Sequence, residues 1–209
     1  MEPTEQNRRA WDELHRRRMR SAGRGIPKQV RELLGEVDGK HVLHLQSGEG
    51  EVTQELVELG ALVTGVDISA EAIQIAREAA PDVPYVHADV HELPVELRRG
   101  RFDLVLTGGA LNSVDDLGKW LSGIEAALRP GGTFLLYDHH PVTTAVDPLG
   151  HWRDNYFEES RWRLGQLVDA VTEAGLQVVR IVEFQSLFNW IQRDRRVPWE
   201  LALIAVRRG

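Results

Sequence analysis

The chain has 209 residues, 42% of them hydrophobic, enough for one domain with a real core and short for two. It contains no cysteine, which excludes a disulfide framework, a thiolate metal site and covalent cysteine catalysis. The formal net charge of −7 is uneven, because residues 1–31 carry +5 and the remainder sums to −12. The basic arm reads first as a solvated helix face, and the acidic body would repel a nucleic-acid backbone. No apolar run approaches the ~20 residues that span a bilayer. The first twenty residues also lack the apolar segment of a secretory signal. The expectation is a cytoplasmic protein with no membrane partner.

Short runs rich in Val, Leu and Ile alternate with helical patterns along the chain, as βαβ units and a parallel sheet require. The predicted strands are His41–Leu45, Leu62–Val66, Tyr85–His87, Phe102–Leu106, Thr133–Asp138, Leu176–Glu183 and Trp199–Arg207. Ser69 is placed to cap a helix over Ala70–Ala80. Leu117, Trp120, Leu121, Ile124 and Leu128 recur at helical spacing, with Asp115 as the expected cap and Pro130-Gly131-Gly132 as the stop. Leu164, Leu167, Val168, Val171 and Ala174 make a second stripe that ends at Gly175. No helix separates the last two strands, so they should pair antiparallel. Residues 139–160 and 185–198 lack clear periodicity. The first of these is expected to form a substrate lid.

The segment Val42–Asp67 reads strand, Gly-containing turn, helix, then a second strand ending in Asp. Gly48 and Gly50 allow close backbone approach to a ligand, and the following helix N-terminus offers free N–H groups. An acid that closes the second strand can accept both hydroxyls of a ribose, and Asp67 follows Gly48 by 19 residues. Glycines that merely make a turn are the alternative. Dinucleotide binding is disfavoured, because Thr53 occupies the third fingerprint position.

The ordered segments HLQSGEG, VTGVDIS, HADVHELP, RFDLVLTGGALNSV and LRPGGTFLL resemble the motifs of class I S-adenosylmethionine-dependent methyltransferases of the small-molecule branch. The resemblance covers the whole chain. It implies a Rossmann-like α/β three-layer sandwich, with a mostly parallel seven-stranded sheet and an antiparallel last strand. It further implies a single domain over 1–209, whose N-terminal helices within 1–35 cover the cofactor site. S-adenosyl-L-methionine is the implied cofactor, and no metal is called for. Gly48 and Gly50 would pass beneath its methionine part, and Asp67 would bind the ribose while Ile68 packs on the adenine. Asp89, with Val90 beside it, would accept from the adenine amine, and Thr107 would lie near the sulfonium. The chain departs from the family at His44, where an acid is usual, and at Gln46, where glycine is usual. Both residues can still accept a hydrogen bond from the cofactor's ammonium group.

Methyl transfer needs alignment first, and a general base only where the acceptor must lose a proton. His139 and His140 follow the fifth strand at the sheet edge that faces the ligand crevice. Alternation lets only one of them reach the pocket, and His140, nearer the insertion, is the expected base. Asn112, His151 and Tyr156 are expected to contact the substrate, with loop anchoring as the alternative for the last two. The function expected is methyl transfer to an O or N atom of a small molecule. The alternatives are a nucleic-acid or protein methyltransferase and a non-catalytic cofactor-binding protein. A homodimer is left open.

Overall fold

Seven strands form one sheet in the order β3-β2-β1-β4-β5-β7-β6 in the computed structural model. It describes residues 3–16, 25–109, 111–159, 162–185 and 193–209. The strands are β1 (His41–Leu45), β2 (Leu62–Asp67), β3 (Tyr85–His87), β4 (Phe102–Gly108), β5 (Leu128–His139), β6 (Leu176–Phe184) and β7 (Glu200–Arg207). The first five run parallel, and β7 lies between β5 and β6, antiparallel to both. The helices are α1 (Pro3–Arg16), α2 (Lys28–Leu34), α3 (Glu51–Glu58), α4 (Ala70–Ala79), α5 (Leu117–Ala127), α6 (Tyr156–Glu159) and α7 (Leu164–Glu173).

The central strands are continuous apolar runs because both of their faces are covered. On one face Leu43, Leu45, Phe134 and Leu136 pack against α5 and α7, where Trp120 meets Phe134 edge to face with centroids 5.8 Å apart. On the other, Val42, Leu106, Leu135 and Tyr137 pack against Val30 of α2 and Leu56 of α3. Successive strand residues feed opposite layers, so the alternation in β5 sorts its side chains face by face. Crossovers leave β1 toward β2 and β4 toward β5, in opposite directions along the sheet. The crevice at this switch point lies beyond the carboxyl ends of β1 and β4.

Three boundaries depart from the sequence-based expectation. Asp116 caps α5, its carboxylate accepting from Lys119 N–H at 3.0 Å, whereas Asp115 was the expected cap. The helix ends at Ala127 and β5 begins at Leu128, five residues before the predicted start. The pairing with β4 then skips from Phe102↔Leu128 to Leu104↔Thr133, so Pro130-Gly131-Gly132 sits in an irregularity of the ladder. Gly131 supplies the positive φ of +75° that this irregularity uses. Residues 139–160 hold more regular structure than their pattern suggested. They contain a 3₁₀ turn at Pro141–Thr144, a Val146↔Trp152 bridge and α6. Of the 185–198 connection, residues 186–192 lie outside the described residues.

Candidate active site

Because β1 to β4 are parallel neighbours, their carboxyl ends collect Gln46, Gly48, Asp67, Asp89 and Thr107 on one edge of the sheet. Asp67 closes β2 as a buried carboxylate. Its Oδ2 accepts from Gly48 N–H and its Oδ1 from Ser69 N–H, both at 2.8 Å. These charge-assisted bonds tie the turn after β1 to the end of β2. Ser69 caps α4, accepting from Ala72 N–H at 3.1 Å while its hydroxyl donates to Asp12 Oδ1 at 2.7 Å. Asp12 is buried and also accepts from Arg8 Nη1 at 2.9 Å, so α1 docks beside Asp67. Of the two helices expected over the site, α1 therefore reaches this edge. The other, α2, fills the core layer with Val30 and Leu34.

The two glycines of the turn serve different ends. Gly48 has φ +54°, and a Cβ added there would meet nothing within 4 Å, so its outer face is open. Gly50 has φ +88°, and a Cβ there would lie 2.5 Å from the Tyr85 hydroxyl and 3.1 Å from Ala76 Cβ. Its smallness is demanded by packing. Gln46 is the single non-glycine residue with positive φ among the described residues, at +54°, and Thr107 Oγ1 donates to its Oε1 at 2.8 Å. This bond spans the switch point from β1 to β4.

His44 is buried on β1, its Nδ1 2.7 Å from Thr53 Oγ1, and burial lowers its pKa from 6.5 to about 4. Thr53, read in the sequence only as a departure from a dinucleotide fingerprint, is the partner that His44 uses. The adenine-side residues divide. Asp89 caps a 3₁₀ turn at Val90–Glu92, and the Val90 side chain is buried in the core beside α5. Ile68 lends its carbonyl to a 2.9 Å contact with His87 Nε2.

At the end of β5 the two histidines are not equivalent. His140 is the buried one, with 8% of its side chain exposed. Its Nδ1 accepts from Val142 N–H at 3.1 Å, and its Nε2 lies 3.0 Å from Glu183 Oε1. Burial lowers its pKa, with Glu183 pulling the other way. His139, which was expected to turn away, has 45% of its side chain exposed, with Nδ1 3.7 Å from Oε1 of the buried Glu200. Arg193 Nη1 donates to the same Glu200 oxygen at 2.5 Å. Alternation places His139 on the face of Tyr137, whose ring fills the space a Cβ on Gly108 would need. Burial and the neighbouring Asp138 push the Tyr137 hydroxyl up to about 12.

The expected substrate contacts are spread out. Asn112 sits exposed in a 3₁₀ turn held by Asp138 Oδ2, which accepts from Leu111 N–H at 2.7 Å. His151 is exposed, its Nδ1 3.3 Å from Asp147 Oδ2. The Tyr156 hydroxyl accepts from Leu164 N–H at 3.2 Å, which joins α6 to α7. Sequence reading missed Asp12, Tyr85, His91 and Glu200. Only Glu200 left a trace there, as a lone carboxylate at the head of an apolar strand.

A family model described as a methyltransferase domain matches residues 43–136. An uncharacterized methyltransferase of Synechocystis sp. is 35% identical over 151 residues, 68% of this chain and 69% of the relative. A ubiquinone biosynthesis O-methyltransferase of Bordetella avium is 32% identical over 107 residues, 49% of this chain and 44% of the relative. The chain thus spans less than half the length of that enzyme. The crystal structure of an S-adenosylmethionine-dependent methyltransferase from Mesorhizobium loti superposes with a TM-score of 0.73 at 25% identity, covering 86% of this chain and 96% of that one. A second such structure, from Listeria monocytogenes, matches in fold with a TM-score of 0.74 at 22% identity, covering 87% and 97%.

Proposed function

From the premise that this chain belongs to the S-adenosylmethionine-dependent methyltransferases, we propose that it methylates an O or N atom of a small molecule by direct displacement. S-adenosylmethionine is the methyl donor. The observation that carries the reading is the edge described above. A buried carboxylate, Asp67, closes β2 beside the open face of Gly48, and the Gln46–Thr107 bond crosses the switch point next to them. These residues suit the cofactor, since a ribose diol needs an acceptor and its neighbouring chain needs a surface without side chains. Asp67 holds the ribose, Asp89 accepts from the adenine amine, and Gln46 and His44 flank the methionine part. α1 covers the ribose side through Asp12 and Ser69.

The bound cofactor supplies a methyl carbon already activated by its positive sulfur. The protein's part is then to align the acceptor with that carbon, and alignment is worth on the order of 7–11 kcal/mol in favourable systems. His139 takes the proton where the acceptor is a hydroxyl, since its ring is the exposed one of the pair. His140 holds the start of the insertion against Glu183. Residues 139–160 serve as the lid over the acceptor. A small-molecule acceptor accords with the ubiquinone biosynthesis relatives.

The test is transfer from methyl-labelled cofactor to a panel of phenols, hydroxy acids and amines, with the product identified by mass. Label appearing in a small-molecule product supports the proposal. Label found only in added RNA, DNA or protein overturns it. On a hydroxyl acceptor, His139→Ala should lower kcat by about two orders of magnitude at unchanged cofactor affinity. His140→Ala should act mainly on stability. Equal kcat losses in two folded mutants would remove the base from His139.

A further inference from the structure

The ring of His91 joins Asp89 to the start of α5. Its Nε2 faces backbone N–H groups at the start of α5, from Asp115 at 3.2 Å and Asp116 at 3.4 Å. Its Nδ1 lies 2.7 Å from Asp89 Oδ1. Backbone N–H groups can only donate, so Nε2 must present its lone pair to them. The ring proton is therefore on Nδ1, where it donates to Asp89. The same Oδ1 accepts from the His91 backbone N–H at 2.9 Å. One oxygen of the carboxylate thus receives both donors of a single residue, which fixes the rotation of the carboxylate plane. The His91 side chain is itself largely buried, with 10% exposed.

We infer that His91 is a positioning residue for adenine recognition, locking Asp89 as the acceptor for the 6-amino group and tying that contact to the start of α5. The inference rests on the reading of Asp89 as the adenine contact. The logic is one of donors and acceptors. An adenine amine is a donor and needs an acceptor held in place. A 6-oxo base offers an acceptor instead and would meet a carboxylate with repulsion. With Asn at position 89, both donors of His91 would keep the amide oxygen on their side and turn the NH₂ group toward the base, so the preference would shift toward the 6-oxo ligand.

Calorimetry with S-adenosylhomocysteine and S-inosylhomocysteine, which differ at position 6 of the purine, reads this as a ratio of affinities. Wild type should favour the adenosyl ligand. His91→Leu should lower that ratio about three- to tenfold, as expected when an oriented, charge-assisted contact is loosened. His91→Gln should restore it, because a carboxamide carries both the donor and the acceptor. Asp89→Asn should collapse the ratio, and adding His91→Leu to it should relax the ratio back toward one. A role confined to holding the fold would weaken both ligands equally. If Asp89→Asn collapses the ratio while His91→Leu leaves it unchanged, the inference fails and the adenine reading stands. If Asp89→Asn also leaves it unchanged, the adenine reading itself fails. Should His91→Leu not fold, nitrogen-15 spectra of the wild-type imidazoles still decide, since a proton found on Nε2 of His91 overturns the inference.

Discussion

Gln46 stands in a left-handed conformation that costs an ordinary L-residue about 1–2 kcal/mol. Thr107 holds its carboxamide in return. Gln46→Gly removes the strain but adds backbone entropy to the unfolded chain, roughly 0.5–1 kcal/mol. Stability should therefore change by less than about 1 kcal/mol, while cofactor affinity falls because the bond across the switch point is lost. Denaturation and calorimetry on the same mutant check both halves, and unchanged affinity would remove Gln46 from the site. His44 makes a different prediction, about pH. Its pKa is about 4 in the folded protein against 6.5 ordinarily, so between these values the unfolded chain takes up a proton that the folded one does not. Its contribution is intact above pH 6.5 and is lost as pH falls toward 4, to the extent of about 3 kcal/mol. His140 shifts in the same direction, so the telling quantity is the difference between wild type and His44→Asn across that window. The mutant's stability should fall less steeply with acid, and parallel curves would show that His44 is not the group responsible.

At the scale of elements, capping and docking decide where the site's parts sit. Asp116 rather than Asp115 satisfies the first turn of α5. Asp116→Ala should cost about 1 kcal/mol, the usual value of a lost N-cap, and Asp115→Ala should cost less. Chemical denaturation with a matched m-value measures both, and the reverse order would return the cap to Asp115. The strands were legible to within a residue or two in six of seven cases, because runs such as VLHL and LALIAV are apolar on both faces. The start of β5 was not legible. Pro and Gly break helices and also make ladder irregularities, and only the pairing with β4 distinguishes the two. The cap of α5 escaped for a similar reason, since adjacent aspartates look alike until one carboxylate meets Lys119 N–H.

For the whole molecule, cofactor binding and stability are linked by mass action. At a hundredfold excess over Kd, S-adenosylmethionine should add about 2.7 kcal/mol to the stability of the folded state. A thermal shift of several degrees follows for a domain of this size. If Asp67 holds the ribose as proposed, the same shift in Asp67→Ala should need far more ligand, because losing that acceptor costs roughly 2–4 kcal/mol of binding. The mutant also loses the bonds to Gly48 and Ser69, so its unliganded melting point should drop as well. A mutant with wild-type ligand response would place the ribose elsewhere. Among the described residues no helix is long and apolar enough to cross a membrane.

The sequence by itself determined the order of elements, the parallel sheet with its antiparallel final pair, and the placement of Gly48, Asp67, Asp89 and Thr107 at the carboxyl ends of the strands. Apolar periodicity, glycine placement and strand-end acids are local signals, so they survive in one dimension. The partners of those residues were decided only by the tertiary structure. Thr53 meets His44 from the next helix, Thr107 meets Gln46 across the switch point, and Asp12 reaches Ser69 from 57 positions away. The two histidines after β5 show the same limit. His140 lies against Glu183 and His139 near Glu200, residues brought alongside by β6 and β7. A side chain's chemistry depends on what surrounds it, and here the surroundings come from strands far apart in sequence that become neighbours only once the sheet has formed.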